Sequence, residues 1–373
     1  MKKKMLILIP VLRPGGVERA TLNFIRHMKD HFEIELLLLN KDGTWMNKLP
    51  DEIRVVNFSD DFKNFFTNDG SARYPVKNII SSIIKKSVVR FYHVTGIFKC
   101  KFNKIINKLP KIEENYDLVI CSTGAYYPLT EIALEKINAN KKFVFYHEDI
   151  TRVYVPRYIK KNIFKFDKIF CVSASISKKM QEKFKRYKDK IDYQYNFLDT
   201  EKIKEESKGE KVTLSKNFNF VSVSRISPEK AITRSIKVFG KLKNKGYNFH
   251  WTIIGDGPDL GKCKKLVKKL NLTAEITFLG SKSNPYAYIK AADMLLLLSY
   301  FESFGIVIAE AFTLGTPVLA TKMISSKEVV GEHGIICDNN SKGIYKALKM
   351  ILTDKLKINL ENYEYPNDTR FEQ

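Results

Sequence analysis

Leu295-Leu296-Leu297-Leu298-Ser299-Tyr300-Phe301-Glu302-Ser303-Phe304-Gly305-Ile306-Val307-Ile308-Ala309-Glu310-Ala311-Phe312 is the stretch on which the fold and the chemistry of this chain turn. Residues 294–298 are apolar without alternation, as in a parallel strand covered on both faces, and an apolar helical run follows Gly305. Glycine frees the backbone for close approach at that turn. The peptide N–H groups of Ser303, Phe304, Gly305 and Ile306 then stand at a helix start, where donors are unpaired and the dipole favours an anion such as phosphate. Glu302 and Glu310, eight residues apart, bring two carboxylates for hydroxyl groups to the same place. Anion donors beside such acids point to a nucleotide sugar. Taken alone, the pair reads equally as two glutamates on helix turns facing solvent, so the rest of the chain has to decide.

Composition sets the bounds. At 373 residues the chain fits two domains, and a hydrophobic fraction of 44% is that of a globular protein. No apolar run reaches the roughly 18 to 20 residues that span a bilayer. Lys2 to Lys4 followed by residues 5–12 resembles a short signal peptide, but Arg13 and Pro14 stand where small cleavage-site residues belong, so the run reads as the first buried strand. Cys100, Cys121, Cys171, Cys263 and Cys337 are odd in number and widely spaced, which fits reduced thiols, a cytoplasmic protein and no zinc site.

Strand patterns at residues 5–10, 34–39, 118–122, 143–146 and 168–172 alternate with helical stretches, and a second set follows at 218–224, 250–255, 276–279, 294–298 and 317–320. This is the pattern of an α/β protein with two doubly wound, Rossmann-like domains. The polar segment 199–216 suits a linker, which gives an N-terminal domain at 1–205, a second at 206–357 and a tail at 358–373.

In such sheets ligands bind beyond the carboxyl ends of the strands, and the motifs of this chain fall there. Gly15 and Gly16 follow the first strand and open a helix expected to start near Val17; an ordinary tight turn is the competing reading. His147 follows the strand at 143–146, with Glu148 and Asp149 as weaker candidates beside it. Ser173, after another strand, reads as a helix cap. Arg225 follows the first strand of the second domain, and Lys230 comes five residues later, so two cations can converge on a diphosphate, the arginine through a bidentate fork and the lysine as a point charge. Gly255 and Gly257 precede Pro258, and Gly280 and Ser281 end the strand at 276–279.

Glu302-x7-Glu310 followed by Gly315-Thr316-Pro317-Val318 resembles the retaining glycosyltransferases of family 4, of the "glycosyl transferases group 1" type, and the other motifs come in that family's order. The resemblance is specific from about 220 to 334, moderate at 5–25 and 143–175, and nearly absent from 45 to 112. It implies the GT-B fold, two Rossmann-like domains facing each other across a cleft, and a retaining transferase of the hexosyltransferase type. It implies further that Gly15 and Gly16 lie over the diphosphate, that His147 lies near the transferred sugar, and that Glu302 holds donor sugar hydroxyls while Glu310 holds the ribose. Gly255 and Gly257 would shape a turn near the nucleotide, and Gly280 and Ser281 would meet the base, of a UDP- or GDP-linked donor. Ser224 and Ala231 depart from the family, which commonly has glycine at both positions.

No metal is required on this reading, because Arg225, Lys230 and the helix start compensate the charge of the departing nucleotide. No carboxylate stands out as the nucleophile that two inversions would need, and a front-face route, which rests on the family resemblance and not on spacing, fits the available residues better.

A net charge of +23 points to an anionic partner. From residue 73 to 111 ten lysines and arginines occur with no Asp or Glu, interleaved with apolar residues, so this segment either lies on an anionic membrane surface or is a normally packed helix with solvated lysines. The membrane reading favours a saccharide acceptor on a lipid, surface-polysaccharide synthesis and a place at the inner face of the plasma membrane. Nucleic acid is disfavoured for want of a reader motif. A nucleotide-sugar hydrolase or epimerase would use much of the same donor site. A nicotinamide enzyme would explain Gly255-x-Gly257 but leaves Glu302, Glu310, Arg225 and Lys230 without a role.

Overall fold

The structure, a computed structural model, describes residues 2–40, 43–56, 97–124, 127–147, 157–209, 211–353, 360, 363–367 and 370. Its strands are β1 (Lys3–Ile9), β2 (Phe32–Leu38), β3 (Arg54–Val56), β4 (Ile112–Cys121), β5 (Ile137–Tyr146), β6 (Lys168–Cys171), β7 (Ile191–Tyr193), β8 (Phe218–Val223), β9 (Phe249–Ile254), β10 (Ile276–Gly280), β11 (Met294–Leu297), β12 (Val318–Thr321) and β13 (Gly334–Cys337). The helices are α1 (Gly16–Met28), α2 (Ile97–Lys108), α3 (Tyr127–Glu135), α4 (Arg157–Ile163), α5 (Ala174–Lys183), α6 (Thr200–Glu206), α7 (Ile232–Lys243), α8 (Leu260–Lys269), α9 (Tyr286–Ala291), α10 (Ile306–Thr313), α11 (Ser326–Val330) and α12 (Ser341–Thr353). None of them is long and apolar enough to cross a membrane.

The chain divides into two compact units. One is Met1–Phe197 with Thr369–Gln373, and the other is Leu198–Asp368. The division falls before α6, not near residue 205, because Leu198 and Ile203 are buried in the core of the second unit. The expected tail is also divided. Tyr363 stacks edge-on against Phe312 and Tyr365 against Phe304 in the second unit, and Asn367 exchanges two hydrogen bonds with the backbone of Leu198. Arg370, in the first unit, donates its N–H to Gln194 and lays its guanidinium 4.1 Å from the Tyr193 ring.

Both sheets are parallel. The first has the order β3-β2-β1-β4-β5-β6-β7, the second β10-β9-β8-β11-β12-β13. The edge strands β3, β7 and β13 are three or four residues long and were not expected from the sequence. In the second unit alternate residues of the strands point to opposite faces, and both faces are buried. Phe220, Trp251, Leu296 and Leu319 pack with α7, α8 and α12, while Val221, Ile254, Leu295 and Ala320 pack with α9 and α10. That double burial explains the unalternating apolar runs. A buried hydroxyl among them is satisfied inside: Trp251 Nε1 donates to Ser222 Oγ, which donates to the Leu296 carbonyl. In each sheet the strand order reverses once, between β1 and β4 and between β8 and β11, and a crevice at the carboxyl end of such a pair is the binding place of this architecture.

Candidate active site

Lys230 and Glu302 meet at the reversal of the second sheet. Strands β8 and β11 are hydrogen-bonded neighbours, and the loops that leave their carboxyl ends carry these two residues. Lys230 ends a short 3-10 helix, Pro228–Lys230, and its ammonium forms an ion pair with Glu302 Oε1. Ser299 Oγ donates to the same oxygen at 3.3 Å. The side chains are 20% and 14% exposed, so the pair is partly withdrawn from water. Ala231 follows with φ 54°, a left-handed backbone that costs a residue with a Cβ about 1–2 kcal/mol and that the glycine of the family frame would adopt freely.

Arg225 lies in the same loop, exposed, its carbonyl accepting from the Ser227 N–H and its guanidinium without a hydrogen bond or ion pair to the described residues. The loop is fastened to the one after β9: Ser224 N–H donates to Ile254 O, Ile226 N–H to Asp256 O, and Asp259 N–H to Ile226 O. Gly255 at φ 143° and Gly257 at φ 157° permit this approach, since a Cβ on either would overlap the carbonyl oxygen of Ser224 or Ile226. Gly255 also donates to Gly280 O at 2.8 Å, which joins the end of β10 to the same loop cluster, and Ser281 follows it into solvent. Gly255, Gly257 and Gly280 therefore seat the Arg225 loop by backbone contact.

Gly305, at φ 78°, caps α10, whose first residue is Ile306; Ser303 is half-buried and Phe304 buried. Glu310 is 1% exposed and accepts a hydrogen bond from Tyr286 Oη at 3.2 Å.

The Glu302 loop has an anchor that the sequence reading missed. Arg234, on α7 and 8% exposed, donates to the Leu298 carbonyl at 2.6 Å and to Asn339 Oδ1 at 2.8 Å. Its guanidinium lies 4.1 Å from the centre of the Tyr300 ring. Asn339 Nδ2 donates to Tyr300 O, Thr321 Oγ1 to Ser299 O, and Tyr300 N–H to the carbonyl of Glu229 beside Lys230. One buried guanidinium thus ties the strand end, α7 and the lysine loop together. The available signal was an arginine in a helix whose other basic residues are all lysine.

In the first unit α1 starts at Gly16, one residue before the expected Val17, with Gly15 as its extended N-cap. Glu18 folds back over Gly15, where a Cβ would strike its carboxylate, and lies 3.7 Å from Arg13. Burial raises the pKa of Glu18. His147 leaves β5 in a hydrogen bond with the Ser122 backbone, and burial pushes its pKa down to about 4, so the imidazole is neutral at pH 7. It lines a small cavity with Thr21, Phe24, Ser122 and Tyr195. Ser173 caps α5 by accepting from the Ile176 N–H. Glu148 and Asp149 lie outside the described residues, as do Arg73 to Arg90 of the basic segment; Lys99, Lys104 and Lys108 are exposed on α2.

Residues 203–367, almost all of the second unit, match the sequence model of the family described as glycosyl transferases group 1. N-acetyl-alpha-D-glucosaminyl L-malate synthase of Bacillus anthracis is 28% identical over 213 residues, which cover 54% of this chain and 55% of that protein. The chain thus spans about half the length of such relatives. Lipopolysaccharide core biosynthesis glycosyltransferase LpsE of Rhizobium meliloti is 28% identical over 105 residues, 27% of this chain and 31% of that one. Among solved structures, Anabaena HepE in complex with UDP-glucose superposes with a TM-score of 0.67 at 18% identity, covering 95% of this chain and 90% of that chain. The fold is that of the GT-B glycosyltransferases, two parallel Rossmann-like sheets.

Proposed function

We propose that the chain is a retaining, family 4 hexosyltransferase that moves a sugar from a UDP- or GDP-linked donor to a saccharide acceptor. The observation that carries this is the Lys230–Glu302 pair at the sheet reversal, between the unpaired Arg225 and the Gly305 helix start. On donor binding the diphosphate takes Arg225 and Lys230, and Glu302, released, accepts from sugar hydroxyls. The C1–O bond to the diphosphate breaks, the acceptor oxygen bonds to C1 from the same face, and its proton passes to the departing phosphate oxygen. Two cations and the α10 N-terminus compensate the leaving charge, so the step uses no divalent ion. Glu310 would hold the ribose, Gly280 and Ser281 would meet the base, Gly15 and Gly16 would lie over the diphosphate, and His147 would lie near the transferred sugar.

A surface-polysaccharide acceptor, lipid-linked, accords with the resemblance to LpsE, and residues 73–111 would contact an anionic membrane at its cytoplasmic face. The test is thermal stabilisation by UDP, GDP, ADP, CMP and NAD in EDTA, followed by assay with UDP-glucose and GDP-mannose, with and without oligosaccharide. Stabilisation by one nucleoside diphosphate and transfer lost in Glu302→Gln supports the reading. A response to NAD alone refutes it, and donor cleavage undiminished without acceptor identifies a hydrolase.

A further inference from the structure

One face of the second sheet is covered by α12, α7 and α8, which pack side by side, α12 on α7 and α7 on α8. Their inward residues belong to a single core cluster. Their sequences carry three lysines on α7, five on α8 and three on α12, and no aspartate or glutamate on any of them. On α8 the division is complete: Cys263 and Val267 are buried, while Lys262, Lys264, Lys265, Lys268 and Lys269 are exposed. Among the described residues, acids stand only at the border of this layer, Asp259 at the start of α8, Asp338 before α12, and Glu275, which holds Lys243 at 2.6 Å. Elsewhere in the unit the signs are mixed. Helix α6 carries Glu201, Glu205 and Glu206 with its lysines, and two of its ion pairs are formed within the helix.

Lysines of like sign one helical turn apart repel, as Lys264–Lys268 and Lys265–Lys269 do, and nothing on this face offsets them. A broad, acid-free lysine surface is destabilising by itself and is compensated when it meets an extended array of negative charge. We propose that the α12–α7–α8 face binds the surface of a bilayer rich in anionic phospholipid. Lysine supplies point charges on flexible stems, suited to mobile headgroups in no fixed geometry. The three helices expose no arginine, and their one ring that is not fully buried, Tyr345, is half-buried against the core, so the groups that read phosphate bidentately or stack on bases are scarce and nucleic acid fits less well. Met350, 39% exposed on α12, adds an apolar contact at the same layer. The proposal is independent of the transfer reaction and of residues 73–111.

The experiment is co-sedimentation of the full chain with phosphatidylcholine vesicles, with and without phosphatidylglycerol, for the parent and for a variant with all five exposed α8 lysines changed to glutamine. The parent should partition to the anionic vesicles alone, with a steep decline on added salt, and the variant should lose more than about tenfold in partitioning. Unchanged melting and unchanged stabilisation by nucleoside diphosphate in the variant show that fold and donor site persist, so failure here is separable from failure of the transferase reading. A parent that ignores the anionic vesicles, a variant that sediments as the parent does, or a parent that retains single-stranded RNA but no vesicles each overturns the proposal.

Discussion

Replacing Arg234 by methionine tests whether the Glu302 loop is held from beneath. The guanidinium makes two short bonds, 2.6 Å to Leu298 O and 2.8 Å to Asn339 Oδ1, and a cation–π contact at 4.1 Å with Tyr300. Bonds from a charged donor contribute about 1.5–3 kcal/mol each, so the two are worth roughly 3–6 kcal/mol. Against this stands the cost of burying the guanidinium, which shows in a pKa lowered from the usual arginine value by desolvation. Methionine fills most of the volume and avoids that cost, but leaves the Leu298 carbonyl without its donor. Ser299 O keeps Thr321. The net loss should be about 3 kcal/mol, or roughly 6–12 °C in the melting of a domain of this size. Because Ser299 and Tyr300 lead straight into Glu302, a shift of about 1 Å in the loop should lower kcat about 100-fold. Arg234→Lys keeps the charge and loses the fork, and should fall between. The checks are calorimetric melting and initial rates of transfer. An Arg234→Met protein that melts with the parent and turns over at its rate would show that the anchor does no positioning.

Gly255→Ala should destabilise the second unit by more than about 2 kcal/mol, because φ is 143° and the Cβ overlaps Ser224 O; a denaturant midpoint equal to the parent's contradicts the close approach. Arg225→Ala should weaken UDP or GDP about tenfold or more and leave the free nucleoside unaffected, by calorimetric titration, and equal losses for both would remove the diphosphate role. The His147 pKa of about 4 lies below the ordinary histidine value of 6.5, so the unfolded chain takes up a proton before the folded one does. The corresponding stability is fully present above about pH 6.5 and is lost as the pH falls towards 4. His147→Gln should flatten the stability profile in that window, and an unchanged slope refutes the assignment.

What the sequence disclosed and what it hid divide along physical lines. The unalternating run before Ser299 is a strand buried on two faces, and Gly305, Gly255 and Gly257 mark backbone that no other residue adopts cheaply, so these elements and their order were legible. Arg225 and Lys230 were legible by place, after a strand and before a helix. Strands β3, β7 and β13 were not, because three or four residues at a sheet edge carry too short a pattern to stand out. The domain boundary was set eight residues late because α6 is polar except at Ile203, which one buried contact assigns to the second unit. Arg234 was hidden for a different reason: its partners, Leu298 and Asn339, lie 64 and 105 residues away, and only the meeting of α7 with the end of β11 makes them neighbours.

If the chain is the proposed transferase, the pairing of Lys230 with Glu302 gives its site an order of events. While the two hold each other, the lysine is neutralised and the carboxylate has no free place for a sugar hydroxyl on the oxygen that Ser299 also binds. A neutral sugar offers nothing to compete with a partly buried ammonium for that carboxylate. A diphosphate does, since it brings more than one negative charge within reach of both Lys230 and the unpaired Arg225, and charge-assisted bonds to phosphate exceed those to a hydroxyl. On the proposed reading the nucleotide would therefore have to arrive before Glu302 is released to a sugar hydroxyl, and the departing nucleotide, carrying the same charge, would hold the lysine until it leaves. Arg234 and the Tyr300–Glu229 backbone bond keep the two loops at a fixed separation through that exchange, so the ion pair can open and close by side-chain rotation alone.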